Sequence, residues 1–306
     1  MPTYSVQAIL QWRLQAQASA VAHQIPPYEV DVLLCELGGV ERLSLVQKLP
    51  HELLNLSLSL PELAQCWQQR LDQRQPLQHL IGYTAWRQWT IQVSPDVLIP
   101  RPETEQIVDI VATTLKNSAL PRTGHWVDLG TGSGILACGL AQLLPEATIH
   151  AVDCSEAALA IAQKNITQLG FEQQITLYSG NWWQPLTHLQ GQVQGMVANP
   201  PYIPTAAIDS LQPEVRDHEP AIALDGGSDG LQAIHQVMHS APDYLRPGGL
   251  WLIELMQGQA PQVLQWLAQH PAYAAPEAIL DWSGTERFVL AWRRREDGSR
   301  ETEFNN

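Results

Sequence analysis

The run Asp128-Leu129-Gly130-Thr131-Gly132-Ser133-Gly134 constrains this chain more than any other feature. It follows a short apolar segment, 126–129, and opens a helical pattern over 133–144. Glycines at alternate positions let a backbone turn tightly and come close to a ligand. Such a motif carries meaning only with a strand before it and a helix after it, and both are present here. The same alternation continues downstream. Segment 147–152 reads as a strand, Ser155 as the cap of a helix running to about Leu169, 175–178 as a third strand and 193–198 as a fourth. A helix follows over about 229–245, and strands near 250–255, 275–280 and 286–292 surround a helix at 261–269. This order predicts an α/β fold, a doubly wound and mostly parallel sheet of seven strands, with ligands bound at the carboxyl ends of those strands.

The sequence before this region has a different character. In residues 1–80, Val6, Ile9, Leu10, Leu14 and Val21 recur at helical spacing, Pro26-Pro27 interrupts, and Val30, Leu33, Leu34 and Leu37 resume before Gly38-Gly39. Pro61 opens a further helix carrying Leu63, Cys66, Trp67 and Leu71. We therefore expect a helical domain over 1–80 and a hairpin linker over 81–100, built on Trp86, Trp89, Ile91 and Val93. The sheet domain is expected over 101–293 and a polar tail over 294–306. Pro100 and Pro102 exclude a helix at that point, so the next one is expected over 103–115.

Composition removes several function classes. No run of 18 apolar residues occurs, and Gln7, Gln11, Arg13, Gln15 and Gln17 break up the N-terminal segment, so a cytoplasmic protein without a membrane partner is expected. Cys35, Cys66, Cys138 and Cys154 are scattered within apolar stretches, which predicts buried, reduced thiols and no metal site. The net charge of −14 opposes a nucleic-acid grip, and Arg293, Arg294 and Arg295 read as a solvated chain end. Within the first 80 residues, five basic side chains (Arg13, Arg42, Lys48, Arg70, Arg74) face seven acids (Glu29, Asp31, Glu36, Glu41, Glu52, Glu62, Asp72).

Two further features carry chemistry. Asp153 ends the second sheet strand, where a carboxylate can accept hydrogen bonds from both hydroxyls of a ribose. NAD and S-adenosylmethionine both contain such a ribose, and the glycines alone do not separate them. Asn199-Pro200-Pro201-Tyr202 follows the fourth strand directly. The prolines lack N–H groups, so the polar groups offered there are mainly acceptors, the Asn199 side-chain oxygen and the Pro200 carbonyl. Two acceptors suit a planar NH2 group, and Tyr202 adds an aromatic face. A dehydrogenase would leave this motif without a role.

Taken in this order, the Gly-rich turn, Asp153 and Asn-Pro-Pro-Tyr resemble a Rossmann-like class I S-adenosylmethionine-dependent methyltransferase. Leu-Ile-Pro-Arg-Pro-Glu-Thr-Glu at 98–105, Asn-Pro-Pro-Tyr-Ile at 199–203, and Glu219-Pro220 with the Gly-rich segment around Gly226, Gly227 and Gly230 resemble the release factor glutamine methyltransferase family over nearly the whole chain. The resemblance implies that Gly130, Thr131, Gly132, Ser133 and Gly134 cradle the methionine part of the cofactor. It implies that Asp153 holds the ribose and Trp182 packs near the adenine. Asn199 would contact both cofactor and substrate, with Pro200, Pro201 and Tyr202 completing a glutamine pocket. Asn199, Pro200 and Tyr202 would then be the catalytic residues. The implied partner is a peptide chain release factor, methylated on the glutamine of its Gly-Gly-Gln loop and gripped by the helical domain. No stable nucleic-acid partner is implied, and a monomer is expected.

The chain departs from the family pattern in places. Asn181 stands where an aspartate is usual, which removes a charge near the adenine and predicts weaker cofactor binding. Glu254-Leu255-Met256 and Gly284-Thr285-Glu286-Arg287 also differ, and neither change is expected to touch the methyl-transfer residues. Arg216, His218 and Glu219 follow the Asn-Pro-Pro-Tyr motif and fit either a solvated loop or a wall of the substrate site. The main alternative activity is N6-adenine methylation of DNA or RNA, since adenine also presents a planar NH2 group.

Overall fold

The computed structural model describes residues 1–295, so the expected tail falls outside the described residues from 296 onward. Two compact units emerge. One contains Met1–Thr84 together with Gln212–His218, and the other the rest of the described chain from Ala85.

In the first unit, β1 (Thr3–Ser5) leads into α1 (Val6–Ala22), α2 (Tyr28–Glu36), α3 (Ser44–Gln47), β2 (Leu53–Asn55), α4 (Leu60–Gln73) and α5 (Leu77–Ile81). Local chemistry sets the helix starts. Ser5 accepts from the Ala8 N–H at 3.2 Å, and Ser59 and Glu62 form a reciprocal capping box with Pro61 in the first turn. The core is built from Ile9, Leu33, Leu34, Leu56 and Leu63, all fully buried. The antiparallel pair β1–β2 was not expected, because three residues are too few to show a periodicity. The segment Gln212–His218, containing α9 (Pro213–Arg216), joins this unit through Glu214. Arg70 donates to Glu214 at 2.8 Å and to Glu29 at 2.7 Å, and Arg74 reaches Glu214 at 2.6 Å. A hairpin of β3 (Tyr83–Trp86) and β4 (Trp89–Gln92) follows.

The second unit continues with α6 (Gln106–Lys116), β5 (Gly124–Leu129), α7 (Ile135–Leu143), β6 (Ala147–Asp153), α8 (Glu156–Leu169), β7 (Ile175–Ser179) and β8 (Val193–Ala198). After α10 (Ala221–Leu224) come α11 (Gln232–Tyr244), β9 (Leu245–Glu254), α12 (Ala260–Gln269), β10 (Tyr273–Leu280) and β11 (Glu286–Arg293). These strands form a seven-stranded sheet in the order β10-β11-β9-β8-β5-β6-β7. The pairs β9–β8, β8–β5, β5–β6 and β6–β7 are parallel, and β11 runs antiparallel to both its neighbours. Along β5, Trp126 packs into the core on one face with Leu140 and Ile161, and Val127 into the core on the other with Ile234 and Val263. Both faces are covered, so the strand is apolar throughout rather than alternating. Ser155 caps α8 as expected, accepting from the Ala158 N–H at 3.2 Å.

Several expectations need correction. The helix expected over 103–115 begins instead as a 3-10 turn, Pro102–Glu105, because proline needs no N–H partner in a first turn. The run is more than a loose chain end: Arg293 is half-buried, and although Arg294 stays exposed, the two donate to the carbonyls of Pro242, Ala272, Pro271 and Tyr273. Of the cysteines, Cys138 is buried, Cys35 and Cys66 are partly exposed, and Cys154 is exposed where β6 gives way to α8. Among the described residues no helix is long and apolar enough to cross a membrane. No group of three or more His, Cys, Asp or Glu among them is placed to hold a metal ion.

Candidate active site

Sheet register brings the functional segments together. Leu129 of β5 pairs with Val152 of β6 on one side and Ala198 of β8 on the other, and Ala198 pairs with Ile253 of β9. The residues that leave these strands, Gly130, Asp153, Asn199 and Glu254, therefore emerge at one carboxyl edge, where open α/β sheets bind ligands. A cavity of about 510 Å³ lies there, within the size range of small-molecule sites.

The Gly-rich turn forms one wall. Gly132 has φ +53°, a conformation that disfavours any side chain, and nothing lies within 4 Å of where a Cβ would project. Asp153 holds this turn in place. Its Oδ2 accepts from the Gly132 N–H at 2.8 Å and its Oδ1 from the Ser155 N–H at 2.9 Å. Each oxygen keeps further acceptor capacity. Burial raises the Asp153 pKa, and those backbone donors pull it back. Beneath the turn, Asp128 accepts from the Thr131 hydroxyl at 2.6 Å and the Ala137 N–H at 3.1 Å, and burial pushes it up to about 7. Its Oδ1 is buried with no partner. Trp182 takes φ +50°, donates from Nε1 to Gln236 at 3.0 Å and lines the cavity, as does the exposed Asn181.

Asn199 and Pro201, leaving the neighbouring strand β8, line the same cavity. Asn199 Nδ2 donates to Thr104 Oγ1 at 3.2 Å, and Thr104 Oγ1 donates to Glu254 Oε2 at 2.7 Å. Tyr202 OH donates to Glu254 Oε1 at 3.1 Å. Thr104 is 4% exposed and Glu254 1%, so the centre of this network is buried. Burial pushes Glu254 up to about 7, against the pull of Thr104, Tyr202 and Arg287. Burial, with Glu254 beside it, also raises Tyr202, which stays a neutral donor. The backbone of the motif is clamped as well. Gln259 Nε2 donates to the Tyr202 carbonyl at 2.9 Å, and Ile203 bridges in parallel to Asp225. Among the described residues none donates to the Pro200 carbonyl or to Asn199 Oδ1.

Comparison with known proteins identifies this arrangement. The family model described as Methyltransferase small domain matches residues 104–212. A release factor glutamine methyltransferase of Synechocystis sp. is 48% identical over 284 residues, covering 92% of this chain and 94% of that protein. The chain belongs to the release factor glutamine methyltransferase family. Relatives of the same name from Thermosynechococcus vestitus (51% identical; 78% of this chain, 81% of that one) and Gloeobacter violaceus (45%; 92% and 97%) agree. Among solved structures, the catalytic domain of hMettl16 in complex with a MAT2A 3'UTR hairpin superposes with TM-score 0.53 at 16% identity, over 82% of this chain and 88% of that one. At that identity the likeness shows the class I methyltransferase fold alone.

Of the residues singled out from the sequence, Gly130, Thr131, Gly132 and Ser133 line the cavity, as do Asp153, Trp182, Asn199 and Pro201. Gly134, Pro200 and Tyr202 lie outside its lining. Gly134 serves packing, since a Cβ there would sit 2.9 Å from that of Ala162 in α8. Arg216 and His218 belong to the first unit, whereas Glu219 is buried and accepts from Arg101 at 2.6 Å. That ion pair joins the family's Ile-Pro-Arg-Pro segment to Glu219-Pro220, and Pro100 and Pro220 both line the cavity. Glu254, the residue of its segment that keeps the family pattern, contacts Tyr202 directly. Thr104 and Glu254 fall within the motifs named above, and the sequence assigns neither of them a role. Their only signal was a polar residue beside apolar runs, and nothing local shows that they meet.

Proposed function

We propose that this protein transfers a methyl group from S-adenosylmethionine to the side-chain nitrogen of the glutamine in the Gly-Gly-Gln loop of peptide chain release factors. The observation that carries the proposal is an uncommitted acceptor in the cavity lining, Asn199 Oδ1, next to the uncommitted Pro200 carbonyl, with the Gly-rich turn lining the same cavity. The names of the relatives supply the substrate class.

The residues present fit the cofactor. Gly132 leaves open space for the methionine part, and Asp153 retains acceptor capacity for two ribose hydroxyls. Trp182 offers a ring for the adenine. Bound S-adenosylmethionine supplies a methyl group on a positively charged sulfur. The protein must then overcome the poor nucleophilicity of an amide nitrogen, whose lone pair is delocalised into the carbonyl. Asn199 and Pro200 would accept one N–H each, turning the nitrogen toward the cavity and holding it there. The same acceptors stabilise the N–H groups as the nitrogen gains positive character. Proton loss can follow transfer, so no general base is required beforehand.

Incubation with S-adenosylmethionine and a release factor, followed by peptide mass spectrometry, tests the reading. One added methyl on the Gly-Gly-Gln glutamine is expected. An unmodified glutamine, with methyl appearing instead in DNA or RNA treated in parallel, would overturn it in favour of adenine. The net charge of −14 opposes that outcome.

A further inference from the structure

We infer that Thr104 and Glu254 are positioning residues, a two-member relay that decides which end of the Asn199 amide faces the substrate. The inference rests on the proposed glutamine reading of the site and deepens it.

A primary amide has nearly the same shape in both flip states, so packing alone does not choose between them. Hydrogen bonding does. The Thr104 hydroxyl has one proton, and it goes to Glu254 Oε2 at 2.7 Å. Toward Asn199, Thr104 therefore presents only lone pairs, and it accepts from Asn199 Nδ2 at 3.2 Å. Oδ1 is left as the outward group, an acceptor for a substrate NH2. Flipping Asn199 would set its oxygen against the Thr104 oxygen and its NH2 against the substrate NH2. Both contacts would be repulsive, in a place where Thr104 and Glu254 are too buried for water to repair them.

The carboxylate controls the polarity of this relay. Ionised, Glu254 only accepts, and it takes protons from Thr104 and from Tyr202 OH. Protonated, it becomes a donor toward Thr104, which frees the Thr104 proton to turn to Asn199 and reverses the preferred flip. The groups acting on this carboxylate are Arg287 of β11, which favours ionisation, and Glu103, which opposes it. Tyr202 in turn senses Arg287 and Arg101. One buried carboxylate thus serves both the first and the last residue of the Asn-Pro-Pro-Tyr motif.

The test uses the full chain with S-adenosylmethionine and a release factor, comparing wild type, Thr104→Val and Thr104→Ser. Thr104→Val keeps the shape and removes the relay, so kcat should fall about 10- to 100-fold, as when a partner that orients a ligating side chain is removed. KM for the release factor and Kd for S-adenosylmethionine should stay within about twofold, because binding is not what the relay supplies. Thr104→Ser restores the hydroxyl and should recover most of the rate. Full activity in Thr104→Val, or a Thr104→Ser enzyme as poor as Thr104→Val, overturns the inference. A second readout is independent of the valine variant's folding. Between about pH 6 and about pH 9, wild-type kcat should rise as Glu254 ionises, while Glu254→Gln should lack that rise. Identical profiles also overturn the inference. If wild type methylates the glutamine and these variants behave like it, only the relay fails. If wild type leaves the glutamine unmodified, the reading of the site fails and the relay with it.

Discussion

Glu254→Gln should stabilise the protein above neutral pH, although the carboxylate has a use. Glu254 is 1% exposed, and its carboxyl is displaced from the ordinary 4.5 to about 7. That displacement corresponds to roughly 3 kcal/mol in favour of the neutral form. The sign follows from proton binding. Between about pH 4.5 and about pH 7 the folded state holds a proton that the unfolded state has released, so stability falls as pH rises through that window. Above it the wild type carries the whole burden of a buried carboxylate. Glutamine removes the charge, keeps an acceptor for Thr104 and offers an NH2 to the Tyr202 oxygen. An amide also loses hydration on burial, so the net gain at pH 8 should be about 2 kcal/mol. For a unit of this size that is roughly 4–8 °C in Tm. The assay is thermal unfolding of wild type and Glu254→Gln at a series of pH values. Asp128, also pushed up to about 7, contributes equally to both proteins and cancels in the difference. The Tm difference should be largest at pH 8 and close to zero near pH 5. A difference that is flat with pH, or that grows toward acid, would refute the reasoning.

Other outcomes follow from the same geometry. Asn199→Ala should abolish most turnover while leaving Tm near wild type, checked by radiolabel transfer and calorimetry. Trp182→Ala should weaken S-adenosylmethionine about tenfold, the loss of one stacking platform, measured by isothermal titration. Arg70→Ala strands Glu29 beside a guanidinium site only 5% exposed and leaves Glu214 with Arg74 alone, and should destabilise the first unit by about 3 kcal/mol in urea unfolding followed by tryptophan fluorescence. A shift below about 1 kcal/mol would refute the view that Glu29 depends on this buried guanidinium.

Much of this molecule is legible without coordinates because its signals are local. Asp128 to Gly134 sits between a strand and a helix, and a chain that turns there needs glycines wherever they fall in the fold. Ser155 and the Ser59–Glu62 box announce helix starts through side chains that reach only three residues along. Asn199 to Tyr202 declares itself because paired prolines strip donors from the backbone. Reading failed where the answer lay across the fold. Arg293 and Arg294 look like a charged chain end, yet strand β11 delivers them to backbone carbonyls more than twenty residues distant. Cys154 sits in an apolar stretch, yet the end of β6 leaves it in the open.

The sequence by itself determined the parts: seven strands and their helices, the glycine turn, the acceptor motif, and the family to which they belong. Tertiary structure alone decided how the acceptor motif is oriented. Thr104 lies 95 residues before Asn199, and Glu254 lies 52 residues after Tyr202. No pattern along the chain couples them. They meet because β8 and β9 run parallel with Ala198 opposite Ile253, so the residues after each strand arrive side by side, and because the Pro102–Glu105 turn brings Thr104 to the same edge. Strand register turns distance along the chain into contact, and the direction of an amide is set by that contact.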